Sequence, residues 1–323
     1  TPGVRGRAAR EHAERAAALL NGALPTRGAP LSALSSQDGA WDALLLVGVH
    51  ASANCQWDSA FAALSAAAAA APSQRERQQT QRQSAALLEL QGRREEAVRV
   101  AHACLREASD SGDRLNTAAA ALQLVELLLA AEQVDEAQSY LSAYETTVEA
   151  HGLWPPRSME VKHCALLALM ELHTGEVGEA ALRPAENAAR NLLSDGRGGG
   201  MAQGAMLGMY DFGSLCAAVE VLMAMCEALQ QSAIADRSLV EDLLSLISQA
   251  VKMAGLYGER LPAARPRAAV FRALLLHLRG KAAAAEAAFA EALLRIRRKD
   301  PALYEPGARL FDEGESDEED GEG

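Results

Sequence analysis

The sequence predicts an all-α fold: an elongated stack of paired helices followed by a disordered acidic C-terminal tail. Three observations point to it. Hydrophobic residues make up 49% of the 323-residue chain but aromatics only 4%, so the core must be built from Leu, Ala, Val and Met. Small and unbranched apolar residues favour close-packed helices over sheets. Apolar positions recur with helical period from end to end, and no run alternates in the manner of a strand. A glycine followed five residues later by an alanine returns along the chain, the mark of an internal repeat. A chain this long exceeds what one compact core usually takes, so two lobes or one extended array are the solutions open to it.

The helices follow in order from their breaks. A first helix over 4–21 is cut off by PTRGAP at Pro25–Pro30. Helices over 38–51 and 57–71 come next, and Pro72-Ser73 stops the second before the polar run QRERQQTQRQ opens another at 76–91. Helices over 94–110, 114–131 and 135–150 follow. Trp154-Pro155-Pro156 closes the last of these and starts 157–174. A helix over 177–194 runs into the glycine-rich stretch Asp195–Gly200. Two long helices, 201–230 and 236–256, precede 264–279 and 282–298, and Pro301 ends the last. The breaks suggest N-terminal helical hairpins over 1–72, repeats over 73–200, a C-terminal module over 201–311 and a tail over 312–323.

The repeat has a physical reading. Gly92 precedes Ala97, Gly175 precedes Ala180, and Gly280 precedes Ala285, each by five residues; Glu132 stands for the glycine before Ala137. A glycine in the left-handed conformation ends a first helix, and the alanine facing that helix lets the second lie close. Counting from Gly280, Ala273 lies seven residues before the turn, while Phe289 and Ala292 fall on the same face as Ala285. Ala85 and Ala168 hold the place of Ala273 in earlier copies. Cys104 and Asn187 depart from the later alanine, and Pro184 falls inside a second helix. This pattern resembles the tetratricopeptide (TPR) hairpin. Turn-to-turn spacings of 40 and 43 residues exceed the roughly 34 of regular repeats, so a degenerate TPR-like superhelix is expected.

A more specific likeness lies in YDFGSLCAAVEVLMAMCEAL at 210–229, the Pro262–Arg267 lead-in, the Gly280-Lys281 turn and Tyr304-Glu305-x-Gly307. Over about 210–311, and more loosely from 76, the chain resembles the C-terminal helical-repeat region of large signalling ATPases, a group that includes the soluble (type 10-like) adenylate cyclases. The resemblance implies a TPR-like tail behind an ATPase or cyclase domain. It carries over no catalytic residue.

Charge and cysteines narrow the classes. The formal charge of −12 lacks the basic face a nucleic-acid binder needs. Eight acidic side chains crowd into 312–323 with no base among them, so much of the imbalance is local. Cys55, Cys104, Cys164, Cys216 and Cys226 are odd in number and widely spaced, which reads as buried reduced thiols and a cytoplasmic setting. The chain starts at Thr1 with nothing like a signal peptide, as a piece of a longer protein would. Ala60–Ala71, the longest apolar stretch by this reading, is too short to span a bilayer, so no membrane insertion is expected.

No catalytic, cofactor or metal constellation emerges. A phosphate loop around Gly280-Lys281 would need a glycine at Leu275 and a Ser or Thr at Ala282. The glycines of 196–200 follow a helix rather than a strand. His163 and Cys164 diverge by about 100° on their helix, and no HxxxH, CxxC or HExxH occurs. Arg295, Arg297, Arg298 and Lys299 complement a helix C-terminus. Ser316 before Asp317-Glu318-Glu319 fits an acid-directed kinase site. The expected function is therefore a non-catalytic scaffold that binds a protein or peptide, or other domains of its own polypeptide. First helices line the groove of such arrays, which makes Arg77, Gln81 and Arg82 on one helix, and Arg114, Asn116 and Gln123 on another, the contact candidates. Two alternatives stand beside it: direct participation in nucleotide turnover, and a structural spacer subunit of a large assembly.

Overall fold

The computed structural model describes residues 40–175, 178–197, 205–231 and 237–299. All regular structure among them is helical, in twelve consecutive helices. These are α1 (Ala40–Ala53), α2 (Trp57–Ala70), α3 (Gln74–Leu90), α4 (Arg94–Ser111), α5 (Arg114–Ala130) and α6 (Val134–Ala150), then α7 (Arg157–His173), α8 (Glu179–Arg197), α9 (Ala205–Gln231), α10 (Arg237–Arg260), α11 (Arg265–Leu278) and α12 (Ala282–Lys299). The expected helix over 4–21 and the tail over 312–323 lie outside the described residues. A 3-10 turn at Pro262–Ala264 was not expected from the sequence.

The helices pair in chain order as six hairpins, and each hairpin packs on the next. The links show why. Gly92, Gly175 and Gly280 have φ of +75°, +86° and +70°, and Glu132 takes the same conformation at +60° despite its side chain. After the left-handed residue, the next amide reaches back five residues to a carbonyl of the first helix: Arg93 to Leu88, Gln133 to Leu128 and Lys281 to Leu276, at 2.9–3.0 Å. This closure satisfies carbonyls that a helix end would otherwise leave bare.

The sequence reading missed a copy. Cys55 is left-handed at φ +59°, and Gln56 donates to the Ala51 carbonyl at 2.9 Å. Ala60 and Ala67, five and twelve residues later, are fully buried. Gly48 stands seven residues earlier, where an added Cβ would come within 2.7 Å of Leu64. The α1–α2 hairpin therefore repeats the spacing with a cysteine at the turn.

Ala97, Ala137, Ala285 and Ala292 are buried between their helices, as are Ala85, Ala168 and Ala273 on the first helices; Phe289 is half-buried. Ala180 is different: it is exposed, and Ala181 is the buried residue. The link from α7 to α8 is longer than the other three-residue links, which moves the inward face on by one. The same step replaces exposed Asn187 with buried Ala188, so the departure noted at Asn187 is a register shift.

Helix α10 runs to Arg260, past the end expected at 256. Gly258 does not break it, because its bare Cα lets Arg265 and Ala268 approach to 3.4 Å of where a Cβ would sit. Arg265 Nε donates to the Gly258 carbonyl at 2.7 Å and fixes that approach.

Three large apolar clusters run along the stack, each sharing a helix with the next, and a small fourth joins Val47 of α1 to Ala63 of α2. Leu87 belongs with α1 and α2 while Leu88 belongs with α4 to α7; Leu166 belongs with that second group while Val161 belongs with α8 to α11. Packing thus runs across both positions, 72/73 and 200/201, where the sequence suggested divisions. The array also bends back on itself: α1 lies against α9 and the 3-10 turn, and Ala53 joins the cluster of α7 to α11.

Two changes test the hairpin geometry. Glu132→Gly should raise stability by up to about 1 kcal/mol by removing left-handed strain. Ala137→Leu should lower it by about 1–3 kcal/mol by prising α5 from α6. Urea denaturation of both variants reads the two signs directly.

Candidate functional site

The first helices of successive hairpins touch in series, α1 on α3, α3 on α5, α5 on α7, α7 on α9 and α9 on α11, and form one inner face. Most of the buried polar side chains lie on these helices. Gln78, Thr80, Asn116 and Lys162 meet polar partners across the seams between hairpins, while Ser52 bonds back to the Gly48 carbonyl of its own helix.

The α3–α5 seam carries a hydrogen-bonded network. Asn116 is 5% exposed; its amide donates to Gln78 Oε1 and its Oδ1 accepts from Arg82. Gln123 Nε2 donates to the Arg82 carbonyl at 2.7 Å, and Gln81 Nε2 to Glu107 of α4 at 3.2 Å. Trp41 of α1 ties in through its indole N–H to Thr80 at 2.9 Å. Asp113 caps α5 by accepting from the Asn116 amide nitrogen at 3.1 Å. Of the six residues expected to contact a partner, Gln81, Arg82, Asn116 and Gln123 are engaged inside the chain, whereas Arg77 and Arg114 are exposed. Buried Gln78 was not picked out from the sequence, although its Nε2 is left without a partner.

A ladder of charges crosses the same face further along. Lys162 of α7 is 4% exposed and binds Glu126 of α5. Gly213 of α9 makes room for them: a Cβ there would lie 2.8 Å from Glu126 Oε1. Glu220 of α9 pairs with Arg267 of α11. Glu89 of α3 lies within electrostatic reach of the Glu126–Lys162 pair. Burial, and then the nearby Glu126 carboxylate, push its pKa up to about 7, while Lys162 pulls the other way. None of these ladder residues was singled out from the sequence. The signal was there, since Glu126 interrupts the run Val125-Glu126-Leu127-Leu128 on an otherwise apolar face.

The remaining chemistry is sparse. Burial pushes the Cys104 thiol up to about 11 and that of Cys216 to about 12, so neither offers a thiolate near neutral pH. No three His, Cys, Asp or Glu side chains converge on a metal position among the described residues. His163 contacts Glu145 at 2.9 Å and His102 contacts Glu136 at 3.4 Å, each across neighbouring helices. A groove of about 330 Å³ lies outside, between α4 and the α5–α6 link, lined by Arg94, Val98, Arg99 and Gln133. The side chains of Arg295, Arg297, Arg298 and Lys299, the loop at 198–200, Tyr304–Gly307 and the candidate modification site Ser316 lie outside the described residues.

One helical stretch, Asp211–Gln231 in α9, is long and apolar enough to cross a bilayer by length and composition, although Asp211, Glu220 and Glu227 interrupt it. Two-thirds of its most apolar window, 67%, is buried inside the fold, as a central core helix requires. No protein-family model and no curated protein matches the chain.

Two substitutions probe the seams. Asn116→Leu should destabilise by about 1–3 kcal/mol, because Gln78 then loses its buried partner. Gly213→Ala should cost a similar amount, about 1–3 kcal/mol, by driving Glu126 off Lys162. Thermal melts followed by circular dichroism would register both.

Proposed function

We propose that the chain is a non-catalytic scaffold, a degenerate TPR-like superhelix whose inner face holds a peptide or a neighbouring domain. The observation that supports this reading most is the segregation of polar side chains. Hydrogen-bonding and charged groups collect on the first helices α3, α5, α7, α9 and α11, while small apolar residues fill the hairpin interiors. Stacked hairpins with such a face suit recognition of an extended segment. Arg77 and Arg114, exposed on adjacent first helices, are the positions from which a partner would be held. An acidic or carboxylate-bearing segment fits them by charge.

The likeness of 210–311 to the tails of signalling ATPases and soluble adenylate cyclases gives the scaffold a setting. In that setting it regulates a catalytic part of a larger cytoplasmic protein and contributes no reacting group of its own.

The test pairs two measurements on the full chain. Arg77→Glu with Arg114→Glu should cut partner capture by about tenfold or more while leaving the melting temperature unchanged, since both side chains are exposed. Undiminished capture would remove the inner face from consideration. Assays for ATP hydrolysis and cyclic-nucleotide formation should give no turnover above a mock preparation; measurable turnover would replace the scaffold with an enzyme.

A further inference from the structure

We propose that the outer face of α12 is a docking surface for the chain's own segment 302–311, ALYEPGARLF, which turns back after Pro301 and closes the end of the stack. Helix α12 is not one of the first helices that form the inner face. The inference therefore stands whether or not the inner face binds a partner.

The stack leaves this one helix short of a neighbour. Every earlier second helix packs on the first helix of the next hairpin: α2 on α3, α4 on α5, α6 on α7, α8 on α9 and α10 on α11. Among the described residues α12 packs extensively on α11 alone. Ala285 and Ala292 are buried on the side toward α11. Ala283, Ala287, Ala290 and Leu294 lie on the opposite side by helical spacing, and all are exposed. Leu293 and Leu294 are 50% and 51% exposed, and they are two of the four large apolar side chains that stand exposed among the described residues. End units of helical arrays ordinarily turn a polar face outward. An apolar one calls for a cover.

The chain carries a cover of the right kind in the right place. Leu303, Tyr304, Leu310 and Phe311 are the only large apolar residues in 300–323, and all fall within 302–311. Pro301 prevents α12 from simply running on. Leu294 lies about 7.5 Å of helix before Lys299, and the five residues from Lys299 to Tyr304 reach up to about 17 Å. Tyr304 can therefore return to Leu294. Seven residues separate the pair Leu303-Tyr304 from the pair Leu310-Phe311, a reach of up to about 23 Å. Ala283 is about 17 Å along the axis from Leu294. The first pair thus covers Leu293 and Leu294, and the second lies over Ala283 and Ala287, where small side chains leave room.

Charge agrees with this direction. A segment running back along α12 brings the acidic run 312–323 to the start of that helix, where Arg279 and Lys281 are exposed. Arg309, the one base in 300–323, lies among the apolar residues of the segment, and Glu286 is exposed at the edge of the face they would cover. A second copy of the chain is the weaker occupant. The face of an 18-residue helix measures about 27 Å by 10 Å, or about 270 Å², against the roughly 800 Å² per partner of a stable interface. A tethered segment works at millimolar effective concentration and needs far less area.

The full chain is compared by amide hydrogen exchange with a full-length variant carrying Leu303→Ser, Tyr304→Ser, Leu310→Ser and Phe311→Ser. Amides of α12 should exchange about tenfold faster in the variant, while those of α3 to α7 keep their rates. In the unaltered chain the protection of α12 should not depend on protein concentration. Equal exchange of α12 in the two proteins overturns the proposal. Protection that fades on dilution also overturns it and assigns the face to a second copy. If the variant fails to fold, nuclear Overhauser contacts in the unaltered chain decide. Contacts between the Tyr304 ring and the methyl groups of Leu293 or Leu294 support the proposal, and their absence overturns it.

Discussion

The distance between paired helices is the constraint on which this structure rests. Two helices approach closely only where side chains at the crossing are small, and here the crossing falls at a fixed offset from a left-handed turn residue. Ala60, Ala97, Ala137 and Ala285 sit on one side of that crossing, with Gly48, Ala85, Val125 and Ala273 facing it. At these points stability comes from many short contacts, and an extra methylene has nowhere to go. The alanine-rich composition is thus a geometric requirement rather than a helix-propensity effect alone.

Close pairing has a consequence for polar groups. Hairpin crossings are too tight for a charged or amide side chain, so many of these collect where one hairpin meets the next, although Gln81 of α3 reaches Glu107 of α4 within one hairpin. At the seams they acquire a second task, fixing how far successive hairpins rotate. The Asn116–Arg82–Gln78 network sets the α3–α5 step, and the Lys162–Glu126 pair sets α5–α7. Such networks specify one arrangement because any other leaves buried donors unpaired. The inner face is both the rigid spine of the array and the surface on which the scaffold reading depends.

Most helices were legible in the sequence because Pro, Gly and polar runs cut the apolar period cleanly, as at Pro72-Ser73 and Trp154-Pro155-Pro156. Positions were less legible where chemistry and geometry part. Cys55 adopts a glycine's backbone without being one, so the copy of the repeat in the first hairpin escaped notice. Ala180 yielded to Ala181 because a longer link moves a helical face by 100° per residue, which a fixed count does not follow. Gly258 lies inside α10, beyond the end expected at 256, and serves as a contact point. Of the inner face, the arginines and amides near α3 and α5 were visible as polar residues on expected first helices. The charge ladder was not, since its members lie far apart in the chain and only the stacking of the first helices brings them into one row.

That bend also shapes how the chain is made. Open helical arrays complete each unit against its immediate neighbour, but here Ala53 and the rest of α1 finish their packing on α9, which begins at Ala205. At synthesis rates of about 5–20 residues per second, an apolar flank of the first helix waits for roughly ten seconds or more before its cover emerges from the ribosome. During that interval the nascent N-terminal hairpins present the kind of surface that chaperones hold.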